Sequence, residues 1–96
     1  MLWVWTDEKN RLNRRDHGLS FETARPVFDD PLAVSRHDPH PDGDQWQTVG
    51  LSGSVVLSVV HTGPETDPES GEETGRIISA RKATVHERRA YEEGEF

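Results

Sequence analysis

The sequence predicts an α+β domain: a short amino-terminal strand, two helices, an antiparallel sheet meander and a closing helix. Three observations carry this expectation. Capped helical segments fill much of the first third, β-branched apolar runs fill the middle, and a capping box opens the last helix. A length of 96 residues suffices for one domain, so residues 1–96 are read as a single unit.

Leu2-Trp3-Val4-Trp5, aromatic and β-branched, reads as a short strand. Thr6 and Asp7 offer an N-cap. A first helix follows to about residue 16, with Gly18 in the left-handed position that ends it. Ser20 caps a second helix whose apolar stripe is Phe21, Ala24 and Phe28. Pro26 lies inside that helix, where it removes a hydrogen bond and should kink or shorten it. Asp29-Asp30-Pro31 ends the helical section.

Leu32 to Arg36 then reads as a strand, His37 to Asp44 as a turn-rich loop, and Gln45 to Leu51 as a second strand before a tight Ser52-Gly53 turn. Val55 to His61 is apolar on both alternations, as a central strand covered on both faces would be. Residues 63–75 hold five acids and two prolines, and read as a flexible acidic loop. Arg76 to Lys82 is the last strand. Strict alternation puts Ile77, Ser79 and Arg81 on one face, with Arg76, Ile78, Ala80 and Lys82 on the other. Thr84 and Glu87 make a capping box for a helix through about Glu93, stopped by Gly94.

Leu, Ile, Val and Phe number only twenty of 96, so the core is small and a partner covering apolar surface would help the fold. The absence of cysteine excludes disulfides and thiolate metal sites. No stretch approaches the roughly 20 apolar residues of a membrane span, and Met1 to Thr6 is too short for a signal peptide. A cytoplasmic location is expected. The net charge of −7 hides a polarised chain: residues 9–15 and 76–89 together carry +8, leaving −15 elsewhere.

Five stretches, in their order, resemble the BrnT toxins of the RelE-like superfamily. Trp5-Thr6-Asp7-Glu8-Lys9 resembles the opening W-D-x-x-K, and Asn13 with His17-Gly18-Leu19-Ser20-Phe21-Glu22 resembles N-x-x-K-H-G-[VI]-x-F-E. Phe28-Asp29-Asp30-Pro31 matches F-x-D-P, Arg76 to Ala83 is the most specific piece, and Glu87 with Tyr91-Glu92 completes E-R-x-x-Y-E. The resemblance implies a RelE-like fold and a toxin that cleaves RNA without a metal or other cofactor, so inhibiting translation. It also implies a BrnA-type ribbon-helix-helix antitoxin, through which alone the chain would meet operator DNA.

Metal-free RNA cleavage needs a group to move the 2′-hydroxyl proton and cations to stabilise the charged transition state. Arg81, Arg76 and His86 are the catalytic candidates, Arg81 because it ends a strand just before a capped helix. Lys9, Arg11, Lys82 and Arg88 are the candidates for holding RNA, while Arg14 and Arg15 read as a solvated helix face. His17, beside Gly18, reads as fixing a helix end, and Trp46 as core or interface. His37, Asp38, His40 and Asp42 fit no standard zinc spacing, so no metal site is expected. Asp16 and Gln45 stand where the family commonly carries basic residues. They favour an alternative: a catalytically inactive, toxin-like partner or corepressor of a DNA-binding antitoxin.

Overall fold

The computed structural model describes residues 1–40 and 43–96. The chain opens with strand β1 (Leu2–Val4), helix α1 (Asp7–His17), helix α2 (Phe21–Ala24) and a 3-10 helix (Arg25–Asp29). Strands β2 (Val34–His40), β3 (Gly43–Ser52), β4 (Val55–Thr62), β5 (Glu65–Thr66) and β6 (Glu73–Lys82) follow, then helix α3 (Val85–Glu93). The strands form one sheet in the order β1-β6-β4-β3-β2, with β5 also paired to β6. β2, β3, β4 and β6 pair antiparallel, whereas β1 runs parallel to β6. The architecture is α+β with a mixed sheet, and β4 is central as its apolar run predicts.

Local chemistry sets the helix limits. The Thr6 hydroxyl accepts from the Lys9 N–H at 3.2 Å, and Gly18, at φ 70°, donates its N–H to the Arg14 carbonyl at 2.9 Å. That left-handed backbone suits glycine, which has no Cβ to clash. The Ser20 hydroxyl caps α2 by accepting from the Thr23 N–H at 3.1 Å. Pro26 then shortens the helix as expected: beyond Ala24 the chain tightens into the 3-10 form.

The core lies between these helices and one face of the sheet. Phe21, Ala24 and Val27 pack against Leu57, Val59, Ile77 and Ala80, all essentially buried. Trp3 stacks on Phe28 with ring centroids 3.6 Å apart, and the buried His61 ring stands perpendicular to both, with centroids 5.0 and 4.9 Å away. Trp3 in turn lies over Gly75, where even a methyl group would overlap its ring.

Two buried asparagines dock α1. The Asn13 amide donates to the Ala80 carbonyl at 2.8 Å and accepts from the Ala80 N–H at 3.0 Å, supplying the pairing a neighbouring strand would give β6 there. The same amide donates to the Leu19 carbonyl. Asn10 accepts from the Phe21 N–H at 2.8 Å and donates to Glu22 at 2.7 Å.

Three expectations need correction. Most of the segment read as a loop from His37 to Asp44 is strand: β2 and β3 pair from Val34↔Val49 out to His40↔Gly43. β2 is an edge strand, the place where a sheet tolerates a proline such as Pro39. Pro41 and Asp42 lie outside the described residues, as do the side chains of Pro39 and His40. Next, part of the acidic stretch 63–75 is strand, because Glu65–Thr66 pairs with Glu73 and Thr74 across a turn closed by the Gly71 N–H bonding the Asp67 carbonyl. Finally, strict alternation fails along β6. The register slips at Val60/His61, so Ala80 opposes Val59 while Ile77 opposes His61. This bulge turns Ile77 into the core beside Ala80 and away from Ser79 and Arg81.

Candidate functional site

The second face of the sheet carries alternate residues of the same strands, and α3 covers it. Across that face runs a line of polar side chains. Arg36 donates from Nε to Gln47 Oε1 at 3.1 Å, Gln47 Nε2 donates to Ser58 Oγ at 2.8 Å and to Glu87 Oε2, and Glu87 meets Arg81. Arg36 also sits 4.3 Å above the Phe96 ring.

Glu87 organises this line. It is the third residue of α3, and the capping box directs its carboxylate back to the Thr84 N–H at 2.8 Å while the Thr84 hydroxyl accepts from the Glu87 N–H. The same carboxylate accepts both terminal nitrogens of Arg81, Nη1 at 2.7 Å and Nη2 at 2.9 Å. A buried carboxylate is tolerated only with such partners. The Arg81 guanidinium, foremost among them, holds the Glu87 carboxyl down to about 2, and Arg81 is raised in return. Glu87 is therefore an anion at neutral pH and a poor proton acceptor. Its effect is positional: Arg81, with a side chain 42% exposed, keeps a fixed orientation and retains further N–H donors for an incoming phosphate.

The other candidates are spread around this point. His86 and Arg88 are exposed neighbours of Glu87, turned about 100° to either side of it, so they flank opposite sides of α3. Lys82 follows Arg81 but alternates to the other face of the strand. Arg76 is exposed five residues back, about 16 Å along β6, so the two arginines do not meet on one phosphate. Lys9 lies on the side of α1 that meets β6, lining a surface with Asn13, Asp16, His17, Ile78 and Ser79. Arg11 lies on the opposite side, with Arg14 and Arg15. The structure thus groups Lys9 with the β6 edge and separates Arg11 from it. The His17 side chain forms no hydrogen bond among the described residues; the Gly18 N–H, bonded to the Arg14 carbonyl, caps the helix end.

Sequence reasoning missed Gln47, Arg36 and His61. Gln47 stands two residues beyond Gln45 on the same strand face, a position that alternation could mark but not join to Glu87, forty residues on. Trp46 is half-buried, edge-on to His37 with centroids 5.2 Å apart. His37 reaches Asp44 at 3.4 Å, and among the described residues no group of three or more His, Asp or Glu gathers where it could hold a metal ion.

Residues 5–87 match the family model described as the ribonuclease toxin, BrnT, of type II toxin–antitoxin systems. The chain belongs to the BrnT family. The match runs from the residue after β1 to the first turn of α3, and so includes Asn13, the Arg81 strand and Glu87 itself. For a BrnT-family chain the context is a ribonuclease toxin with an antitoxin as its partner. No curated protein matches the sequence. Among the described residues no helix is long and apolar enough to cross a membrane.

Proposed function

We propose that this BrnT-family chain is a metal-independent endoribonuclease that inhibits translation by cutting RNA at the face around Arg81. The observation that supports it most is the fork of Arg81, fixed by the buried Glu87 yet open to solvent at the end of β6. In the reaction a 2′-oxygen attacks the adjacent phosphorus and the bond to the 5′-oxygen breaks, leaving a cyclic phosphate. Arg81 stabilises the charge that builds on the phosphoryl oxygens. His86 moves a proton from the 2′-hydroxyl or to the 5′-oxygen. Arg76, Lys9, Lys82 and Arg88 hold neighbouring phosphates of the strand. The antitoxin is a BrnA-type ribbon-helix-helix protein that covers this face and carries the pair to operator DNA.

Expression of the chain without antitoxin tests this. Growth arrest and RNA cleavage that fall at least about a hundredfold in Arg81→Ala, with the fold intact, are the expected result. A second reading rests on the same pair: with Glu87 occupying one edge of Arg81 and too acidic to serve as a base, the chain acts as an inactive toxin-like corepressor. Absence of arrest, together with an operator shift by the antitoxin that requires this chain, would establish that reading instead.

A further inference from the structure

A second basic surface lies on the far side of α1 from Arg81. Arg11, Arg14 and Arg15 line a shallow groove of ≈720 Å³ with Gly18 and with Ser20 and Thr23 at the start of α2. Helical spacing explains the separation: Lys9, Leu12, Asn13, Asp16 and His17 face β6, and the three arginines occupy the opposite side of the cylinder.

The lining selects the occupant. It contains three guanidinium groups and two hydroxyls, with no carboxylate and no aliphatic or aromatic side chain. Ser20 donates to the Thr23 hydroxyl at 2.9 Å, which leaves the Thr23 O–H as a further donor. Arg15 pairs with Asp16 at 2.9 Å, but both are largely exposed, and among the described residues Arg11 and Arg14 form no ion pair. Glu22 feels the charge of Arg14 yet is committed to Asn10 and does not line the groove. A protein segment would need apolar anchors here, and unstacked bases would need an aromatic platform. Arginine forks and hydroxyls alone match phosphodiester oxygens.

We propose that this groove is an accessory site for the backbone of single-stranded RNA, binding a stretch that flanks the cleaved one and crosses α1 to reach it. The site reads no sequence. It deepens the ribonuclease reading and rests on it for the identity of the RNA.

The test is equilibrium binding of the full-length chain to 2′-O-methyl RNA, which cannot be cut. A mixed-sequence 20-mer, a trinucleotide and polyglutamate serve as probes. Replacing Arg11, Arg14 and Arg15 together by Gln should weaken the 20-mer at least about tenfold and reduce the slope of log affinity against log salt by about 2. The trinucleotide should bind unchanged, and the triple Arg→Lys chain should retain most of the 20-mer affinity. Three results would overturn the proposal: unchanged 20-mer binding in the Gln variant, an equal loss for the trinucleotide, or polyglutamate binding as tightly as the 20-mer through the same residues. Failure of the cleavage reading is distinguishable. A chain that never cuts unmodified RNA, yet binds the 20-mer through these arginines, refutes the nuclease and leaves the groove.

Discussion

The Asn13 side chain lies along Ala80 as a strand would, donating to its carbonyl and accepting from its N–H, although the two residues are 67 positions apart in the chain. The amide is matched atom for atom, and this is why an asparagine can be buried on a helix otherwise rich in charge.

Replacing Asn13 by Ala strands a buried N–H and two carbonyls, so a loss of about 1–3 kcal/mol is expected. Asn13→Asp should be no better, since a carboxylate lacks the donors that the Ala80 and Leu19 carbonyls require. Urea unfolding measures both. A shift within about 0.5 kcal/mol for the Ala variant would show that the amide is not needed.

The pair of Arg81 and Glu87 makes stability depend on acidity in a defined window. The Glu87 carboxyl lies at about 2 in the fold against an ordinary 4.5. Its contribution is therefore complete above pH 4.5 and is lost as pH falls toward 2. Urea midpoints of the parent chain should drop across that window more steeply than those of Glu87→Gln. Parallel curves for the two chains would contradict the assignment.

His61 behaves in the opposite chemical sense. Burial lowers it from 6.5, and the neutral ring fits its partners: Nδ1–H donates to the Thr62 carbonyl at 2.8 Å, and Nε2 accepts from the Thr48 hydroxyl. The unfolded chain takes up the proton first, so stability is full above pH 6.5 and declines as pH falls below it toward the lowered folded value. Proton NMR of the ring should give a midpoint under 6.5. His61→Gln should remove this decline, and its persistence in that variant would assign it elsewhere.

Gly75→Ala should push the Trp3 ring off its seat, disturbing the stack on Phe28 and the contact with His61. Overpacking of this kind costs about 1–3 kcal/mol. A tryptophan emission spectrum and thermal midpoint identical to those of the parent chain would show that the ring has room to move.

The helix limits were legible because each rests on residues close in sequence: Thr6, Gly18, Ser20, Pro26, Thr84 and Gly94 act within a turn of where they stand. The pairing of β2 and β3 was hidden because Asp38 and Pro39 suit a turn, but also suit an edge strand. The β6 bulge could not be read either, since a slip of register leaves no mark in an alternating pattern. At the site, Arg81 was visible from its setting and Glu87 from its capping box. Gln47 and Arg36 were not, because only the pairing of β2, β3 and β4 brings them into line with that helix.

Synthesis on the ribosome gives the placement of β6 a temporal meaning. β1 and α1 are made before β6, yet the partners of both, Thr74 to Arg76 and Ala80, lie on that later strand. Such long-range pairing delays closure until late in folding. A nascent chain stopped before β6 lacks Arg81, the strand that α1 docks on, and Ile77 and Ala80 of the core. The segment that completes the fold is thus also the one that carries Arg81, and on the proposed ribonuclease reading a chain interrupted before it would have neither a closed core nor a cleaving face.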